Sequence, residues 1–312
     1  MLGWLGRENK LPGWFAFSIG AHEIEFAHGN FGGASRPHVT SYGTQALDGE
    51  KQELPKVAQS MHLRRYQCVA LLRPGEYQLV LVEAPNVAKE ELKSAIRWRI
   101  KDMIDYHVDD ATIDMLDVPP PDSAAARTHL MYAVSARNEL IESKIRECEH
   151  ARIPLAVIDI PETAQRNIAA LYETDERAVG LAYFAEDWGA LTINYRGELY
   201  LARRLDVGLK QISSEGAAAD GGPLERLVVE IQRTLDHFDR QFGSIAFATL
   251  LLAPTPGDNA AAQFLKGRLG IEAVEIDLRE VLAFDGPGPE KDAQWRLFHH
   301  LGACLRRESK AF

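Results

Sequence analysis

The sequence predicts an α/β protein with mixed sheets and two lobes. Three observations carry that reading. Strand-like and helix-like segments alternate along the 312 residues. Antiparallel hairpin patterns break the alternation twice, near the N-terminus and across residues 178–208. The chain is also long enough for one large or two medium domains, each with its own core.

Taken in order, Trp14–Ile19 and residues 23–28 alternate as a hairpin joined at Gly20-Ala21, with a third short strand over 39–42. Weak helical spacing over 54–63 leads to strands at 67–72 and 78–83 around the turn Arg73-Pro74-Gly75. Residues 88–104 form a helix, with Leu92, Ala95, Ile96, Ile100, Met103 and Ile104 on one face. A strand over 112–118 stops at Pro119-Pro120-Pro121, and the Pro-, Ala- and Ser-rich stretch 119–127 reads as a loop. A strand at 128–135, a helix at 137–151 and a β-branched strand at 155–160 follow, then a helix over 161–172 with Pro at its first turn. Residues 178–208 read as strand, tight loop, strand, turn at Arg196-Gly197-Glu198, and strand. After a loop at 213–222, Pro223–Phe242 carries the stripe Leu224, Leu227, Val228, Ile231, Leu235 and Phe238. A strand at 247–252, a helix at 259–269, a strand at 273–277 and a closing helix over 294–307 complete the pattern, with no tandem repeat.

At 46% apolar and 26% charged residues, the composition is that of an ordinary globular protein. The net charge of −10 argues against a protein built to grip nucleic acid. Cys68, Cys148 and Cys304 stand singly, without the spacing of a zinc site or a disulfide framework, which fits a reducing compartment. No signal peptide is read at residues 1–5, because Arg7 and Glu8 follow a very short apolar run. The longest strongly apolar run, 245–253, is about half of the ~20 residues a membrane helix needs. Direct membrane contact would run through Trp4, Leu5 and Trp14.

No G-x-x-x-x-G-K-[ST], G-x-G-x-x-G, G-x-S-x-G or H-E-x-x-H motif is present. The glycine-rich stretch 29–33 (GNFGG) reads as a turn. His299 and His300 are adjacent and so point to different faces, one half-buried and one solvated. Asp105, Asp109 and Asp110 read as a solvated loop, as do Asp236 and Asp239 on their helix face. Two readings fit Asp159, a cap for the helix that follows and a ligand group at a strand end. Two readings also fit Trp98, which falls opposite the apolar stripe between Arg97 and Arg99: an interface hot spot, or a second packing face.

The run ELKSAIRWRIKDMIDYHVDDATIDMLDVP, residues 91–119, closely resembles a helix-plus-strand segment of MshI, of mannose-sensitive-haemagglutinin type IV pili. PilM of type IV pilus systems and the cytoplasmic part of GspL in type II secretion belong to the same group. Residues 229–241 (VEIQRTLDHFDRQ) and 301–307 (LGACLRR) are similar to two further helices of that group.

The resemblance implies an actin-like fold of two ribonuclease-H-like lobes with an inserted FtsA-like subdomain. It divides the chain into residues 1–70 with 152–175, the insert 71–151, a second lobe 176–290 and a closing helix 291–312. In that fold two hairpin loops hold the phosphates of Mg-ATP. PilM has I-D-I-G in the first, against Phe17-Ser18-Ile19-Gly20 here. The second has Tyr183-Phe184-Ala185-Glu186 against V-D-I-G, and the adenine-side glycines become Ala253-Pro254-Thr255-Pro256-Gly257. Both metal-positioning acids are missing.

The implied role is a non-catalytic cytoplasmic scaffold, peripheral to the inner membrane and reaching the membrane only through partners. Its expected partners are the tail of a PilN-like single-pass protein and the assembly ATPase, with Trp98, Arg97 and Arg99 as the binding surface and no cofactor. The alternative is an active actin-like ATPase with Gly20, Glu186, Asp187 and Gly189 at the phosphates and Gly257 near the base. A sugar kinase on the same fold lacks an evident catalytic Asp.

Overall fold

The computed structural model describes residues 10–31, 36–47, 53–120, 129–174, 176–214, 216–257 and 261–307. In the first lobe, β1 (Trp14–Ile19), β2 (Glu23–Asn30), β3 (His38–Ala46), β4 (Gln67–Leu71) and β8 (Leu155–Asp159) join β14 (Ala283–Phe284) in the order β14-β3-β2-β1-β4-β8. In the second, β9 (Ala178–Phe184), β10 (Gly189–Tyr195), β11 (Glu198–Leu205), β12 (Phe247–Leu252) and β13 (Glu272–Glu275) run β11-β10-β9-β12-β13.

Strands β3-β2-β1-β4-β8 of the first sheet and all five of the second share one plan. Two antiparallel pairings come first, then two parallel ones. The duplication lies in topology, which is why the sequence shows no repeat. β14 had no counterpart in the sequence reading. It pairs with β3, so a segment expected in the second lobe completes the first sheet.

Between β4 and β8 the chain forms a third sheet, β5 (Tyr77–Glu83), β7 (Leu130–Arg137) and β6 (Ala111–Val118), in the order β5-β7-β6. Helix α2 (Lys89–Ile100) covers one face of it through Ile96 and Ile100, which pack with Val82, Ile113 and Ala133. The other face meets the second lobe, where Val118 and Tyr132 pack with Tyr195, Leu201 and Phe238, and the Ala202 amide donates to the Tyr132 hydroxyl at 2.8 Å. Met103 leaves the expected apolar face, because α2 ends at Ile100, and is 52% exposed.

The remaining helices are α1 (Leu54–Ser60), α3 (Asn138–His150), α4 (Pro161–Ala169), α5 (Leu209–Ile212), α6 (Pro223–Phe242), α7 (Ala261–Leu269), α8 (Lys291–Arg296) and α9 (Phe298–Ala303). The closing helix expected over 294–307 is two short helices meeting at Leu297. The largest core lies between the two main sheets. Val69, Leu71 and Val157 face it from one side and Val179, Leu181 and Leu251 from the other, with Ala164 and Ile168 of α4 and Phe298 and Leu301 of α9 between them. Gly302 sits at the α4–α9 crossing, where a Cβ would stand 2.3 Å from the Ala164 carbonyl oxygen.

Trp14 is 7% exposed and belongs to this core, so it is no membrane anchor. Trp4, Leu5 and residues 32–33 of the glycine-rich stretch lie outside the described residues, as does most of the 119–127 loop. Gly29 is a strand residue rather than a turn, and a Cβ there would meet Cys304 Sγ at 2.9 Å. Among the described residues no helix is long and apolar enough to cross a membrane.

Candidate functional site

The two hairpins, β1–β2 and β9–β10, present their loops to the segment that carries α8 and α9. The first loop closes tightly, with the Gly20 amide donating to the Glu23 carbonyl at 2.7 Å and an Arg73 guanidinium donating to the Ile19 carbonyl. Arg296 bonds Glu25 Oε1 through Nε at 2.8 Å and Glu23 through Nη2. One turn on, His300 Nε2 stands 2.9 Å from the Ser18 hydroxyl. Ser18 is thus engaged by the protein itself at the place where I-D-I-G has its acid.

The second hairpin is held from the same segment. The Trp295 indole N–H donates to the Phe184 carbonyl at 2.7 Å. The Tyr183 ring lies 5.5 Å from Phe298 and edge-on to His299 at 4.3 Å between centroids. Phe184 itself is buried in the core beneath α6. Neither histidine is solvated, contrary to the sequence reading. His300 is buried and His299 half-buried, and burial pushes both imidazoles down to about 3, so both are neutral at pH 7.

The residues expected around a nucleotide fall into separate local arrangements. Lys210 bonds Glu186 at 2.9 Å and Asp187 at 3.2 Å, which draws both carboxylates toward the start of α5. Gly189 begins β10 with Phe184 Cδ1 and the Val207 carbonyl each 3.0 Å from where a Cβ would stand. Gly257, at φ +69°, accepts from Lys291 Nζ at 2.9 Å through its carbonyl. The same loop is tied down by Thr255, whose amide and hydroxyl both donate to Glu275.

Beside the second loop opens a cleft of about 190 Å³, bordered by Tyr77, Glu162, Trp188, Gly189, Arg203 and Arg204. The Tyr77 hydroxyl donates to Glu162 at 2.5 Å. Burial pushes the Glu162 carboxyl up, an effect this hydrogen bond partly offsets, and burial raises the Tyr77 hydroxyl as well. The Arg204 guanidinium lies 5.2 Å over the Trp188 ring. Sequence reasoning missed this cleft. The one available signal was an Arg doublet at the end of a strand otherwise read as apolar.

Asp159 does not cap α4, whose N-cap is Ile160 with no side-chain cap bond; it is a buried anchor just before the helix. Its carboxylate accepts the Ile160 amide at 2.9 Å and the Thr163 hydroxyl at the start of α4, and pairs with Arg306 at 2.5 Å. Trp98 is 70% exposed, with the Lys101 ammonium 5.4 Å over its ring. Its flanking arginines serve the insert instead. Arg97 donates to the Val108 and Ala111 carbonyls, and Arg99 donates to the Glu83 carbonyl at 2.9 Å. Among the described residues no group of three or more His, Cys, Asp or Glu is placed to hold a metal ion.

Two sheets of one strand plan, hairpin loops facing a common segment and a small sheet inserted in the first lobe define an actin-like fold. The solved structures it matches include the PilM–PilN type IV pilus biogenesis complex, at TM-score 0.67 and 16% identity over 96% of this chain and 97% of that chain. They also include the cytoplasmic domain of EpsL, an inner-membrane component of the type II secretion system of Vibrio cholerae (TM-score 0.49, 11% identity, 95% and 96% covered). A Bacteroides thetaiotaomicron protein with an actin-like ATPase fold aligns at TM-score 0.49 and 10% identity, with 95% and 99% covered. No protein-family model and no curated protein sequence matches the chain.

Proposed function

We propose that this chain is a non-catalytic cytoplasmic scaffold of a type IV, MSHA-like pilus machine that holds the tail of a PilN-like single-pass inner-membrane protein beside the assembly ATPase. One observation carries the non-catalytic part. Side chains of α8 and α9 occupy both hairpins, through Arg296 on Glu23 and Glu25, His300 on Ser18 and Trp295 on the Phe184 carbonyl. A triphosphate–Mg²⁺ group there would have to displace those bonds, with no acid at Ser18 or Phe184 to position the ion. The fold likeness to PilM supports the pilus setting, and the exposed Trp98 supports a partner face on the insert.

The test is a titration of the full chain with the partner's N-terminal tail peptide. Trp98→Ala is expected to weaken binding by about 2 kcal/mol, some thirtyfold. An unchanged affinity removes Trp98 from the reading. The cleft with Arg203 and Arg204 favours a second reading, in which a nucleotide binds beside the second loop. Mg-ATP at about a hundred times its dissociation constant would then add about 2.7 kcal/mol of stability. No thermal shift is expected on the scaffold reading.

A further inference from the structure

At the far ends of α1 and α3 the first lobe has a second cleft, of about 440 Å³, lined by His62, Arg64, Arg65, His150 and Arg152. Among the described residues no carboxylate lines it, and its other walls are Pro55, Ala58, Gln59 and Ala151. All five cationic or titratable side chains are exposed. None of the described residues forms an ion pair with Arg64, Arg65 or Arg152, which stand together on one rim. On a chain of net charge −10, such a local excess of positive charge raises the concentration of anions at one spot.

The backbone adds a second observation. His62, directly after the C-cap of α1, has φ +54°, and Arg152, directly after that of α3, has φ +55°. Glycine ordinarily fills such left-handed closing positions. Here both carry long polar side chains turned to one cleft. The helix dipoles favour cationic groups at these two positions, but they do not account for Arg64 and Arg65. Each helix end carries about half a negative charge, and Arg64 and Arg65 belong to the intervening 3₁₀ turn Leu63–Arg65.

We propose that this cleft binds a phosphate-bearing anion. Guanidinium groups offer paired N–H donors that match phosphate oxygens two at a time. The volume lies in the range of small-ligand sites, roughly 300–1,000 Å³. Two sources share this chemistry, a soluble phosphate compound and a phospholipid headgroup at a membrane surface.

The experiment uses the full chain at about 0.1 M ionic strength, in two arms. One follows thermal stability against inorganic pyrophosphate. The other follows flotation with vesicles of phosphatidylcholine, with and without phosphatidylglycerol. The wild type responds in at least one arm, and Arg64→Gln/Arg152→Gln lowers the apparent affinity about tenfold or more. Arg146→Gln, which removes one positive charge from an exposed Glu142 pair outside the cleft and so matches the single Arg65→Gln variant, leaves it unchanged. A response to pyrophosphate alone identifies a soluble ligand, and a response to anionic vesicles alone identifies a headgroup. No response in either arm overturns the proposal, as does equal binding by the double variant. Should that variant be unstable, Arg65→Gln carries the test, with about a threefold loss expected and none overturning the proposal.

Discussion

The two hairpins come from sheets of the same strand plan, yet they are built differently. Every residue of β9 and β10 is buried, whereas in the first hairpin β1 is buried up to Ser18 and β2 mixes buried with partly open positions. The second sheet is covered on both faces, by α6 and α5 on one side and by the central core and the inserted sheet on the other. Among the described residues the first sheet has the short α1, Leu47, Leu63 and the end of α3 over its outer face. Segment α8–α9 therefore holds the second hairpin mainly by aromatic packing, and the first by charges at its rim plus one buried imidazole. A common topology sets where the loops go. What covers the sheets decides which side chains a loop can carry.

The largest effect is expected where the aromatic side of that comparison is cut. Phe298 is fully buried against Tyr183, so Phe298→Ala should cost about 4 kcal/mol in denaturant unfolding. A loss under about 1 kcal/mol would mean that the second hairpin is not held by packing. Gly302→Ala comes next, at about 3 kcal/mol, because the added Cβ forces α4 and α9 apart.

A smaller effect is set by pH. His299 and His300 titrate near 3 when folded, against 6.5 for a free imidazole. The unfolded chain therefore binds more protons between those values. Stability is full above pH 6.5 and falls as pH drops toward 3, by roughly 2 kcal/mol per imidazole at pH 5. His300→Gln should flatten part of that acid limb, and an unchanged slope would remove His300 from the account.

The smallest effect belongs to the first hairpin's rim. Arg296 is 43% exposed in its pairs with Glu23 and Glu25, so Arg296→Ala should cost under about 1 kcal/mol and less at high salt. An effect equal to that of Phe298→Ala would erase the contrast between the hairpins. Apart from the comparison, burial pushes the Cys68 and Cys148 thiols up to about 12. Neither should react with a thiol reagent at pH 8 until the chain unfolds.

Read along the chain, local pattern placed most elements well. β12 and α6 have the bounds their apolar periodicity predicts, because each buries one continuous surface. The turn at Arg196-Gly197 appears with both residues at positive φ, as a two-residue hairpin loop requires. Pattern failed where a segment is short or its partner distant. β14 is two residues long and exists only through its pairing with β3. The closing helix breaks at Leu297, a break that no periodicity reports.

The candidate site divides along the same line. Composition and the hairpin patterns were present in the order of residues, since each depends on neighbours within a few positions. Spacing placed Trp98 opposite the apolar stripe of its helix but left open a second packing face, and the folded chain leaves it 70% exposed. Only the folded chain could decide that Arg97 and Arg99 bond carbonyls of the insert, that Ser18 meets His300 across 282 positions, or that Phe184 and Trp295 close on each other. Those contacts join elements remote in sequence. Their energies depend on which surfaces the sheets leave uncovered, a property of the packed molecule that no single segment carries.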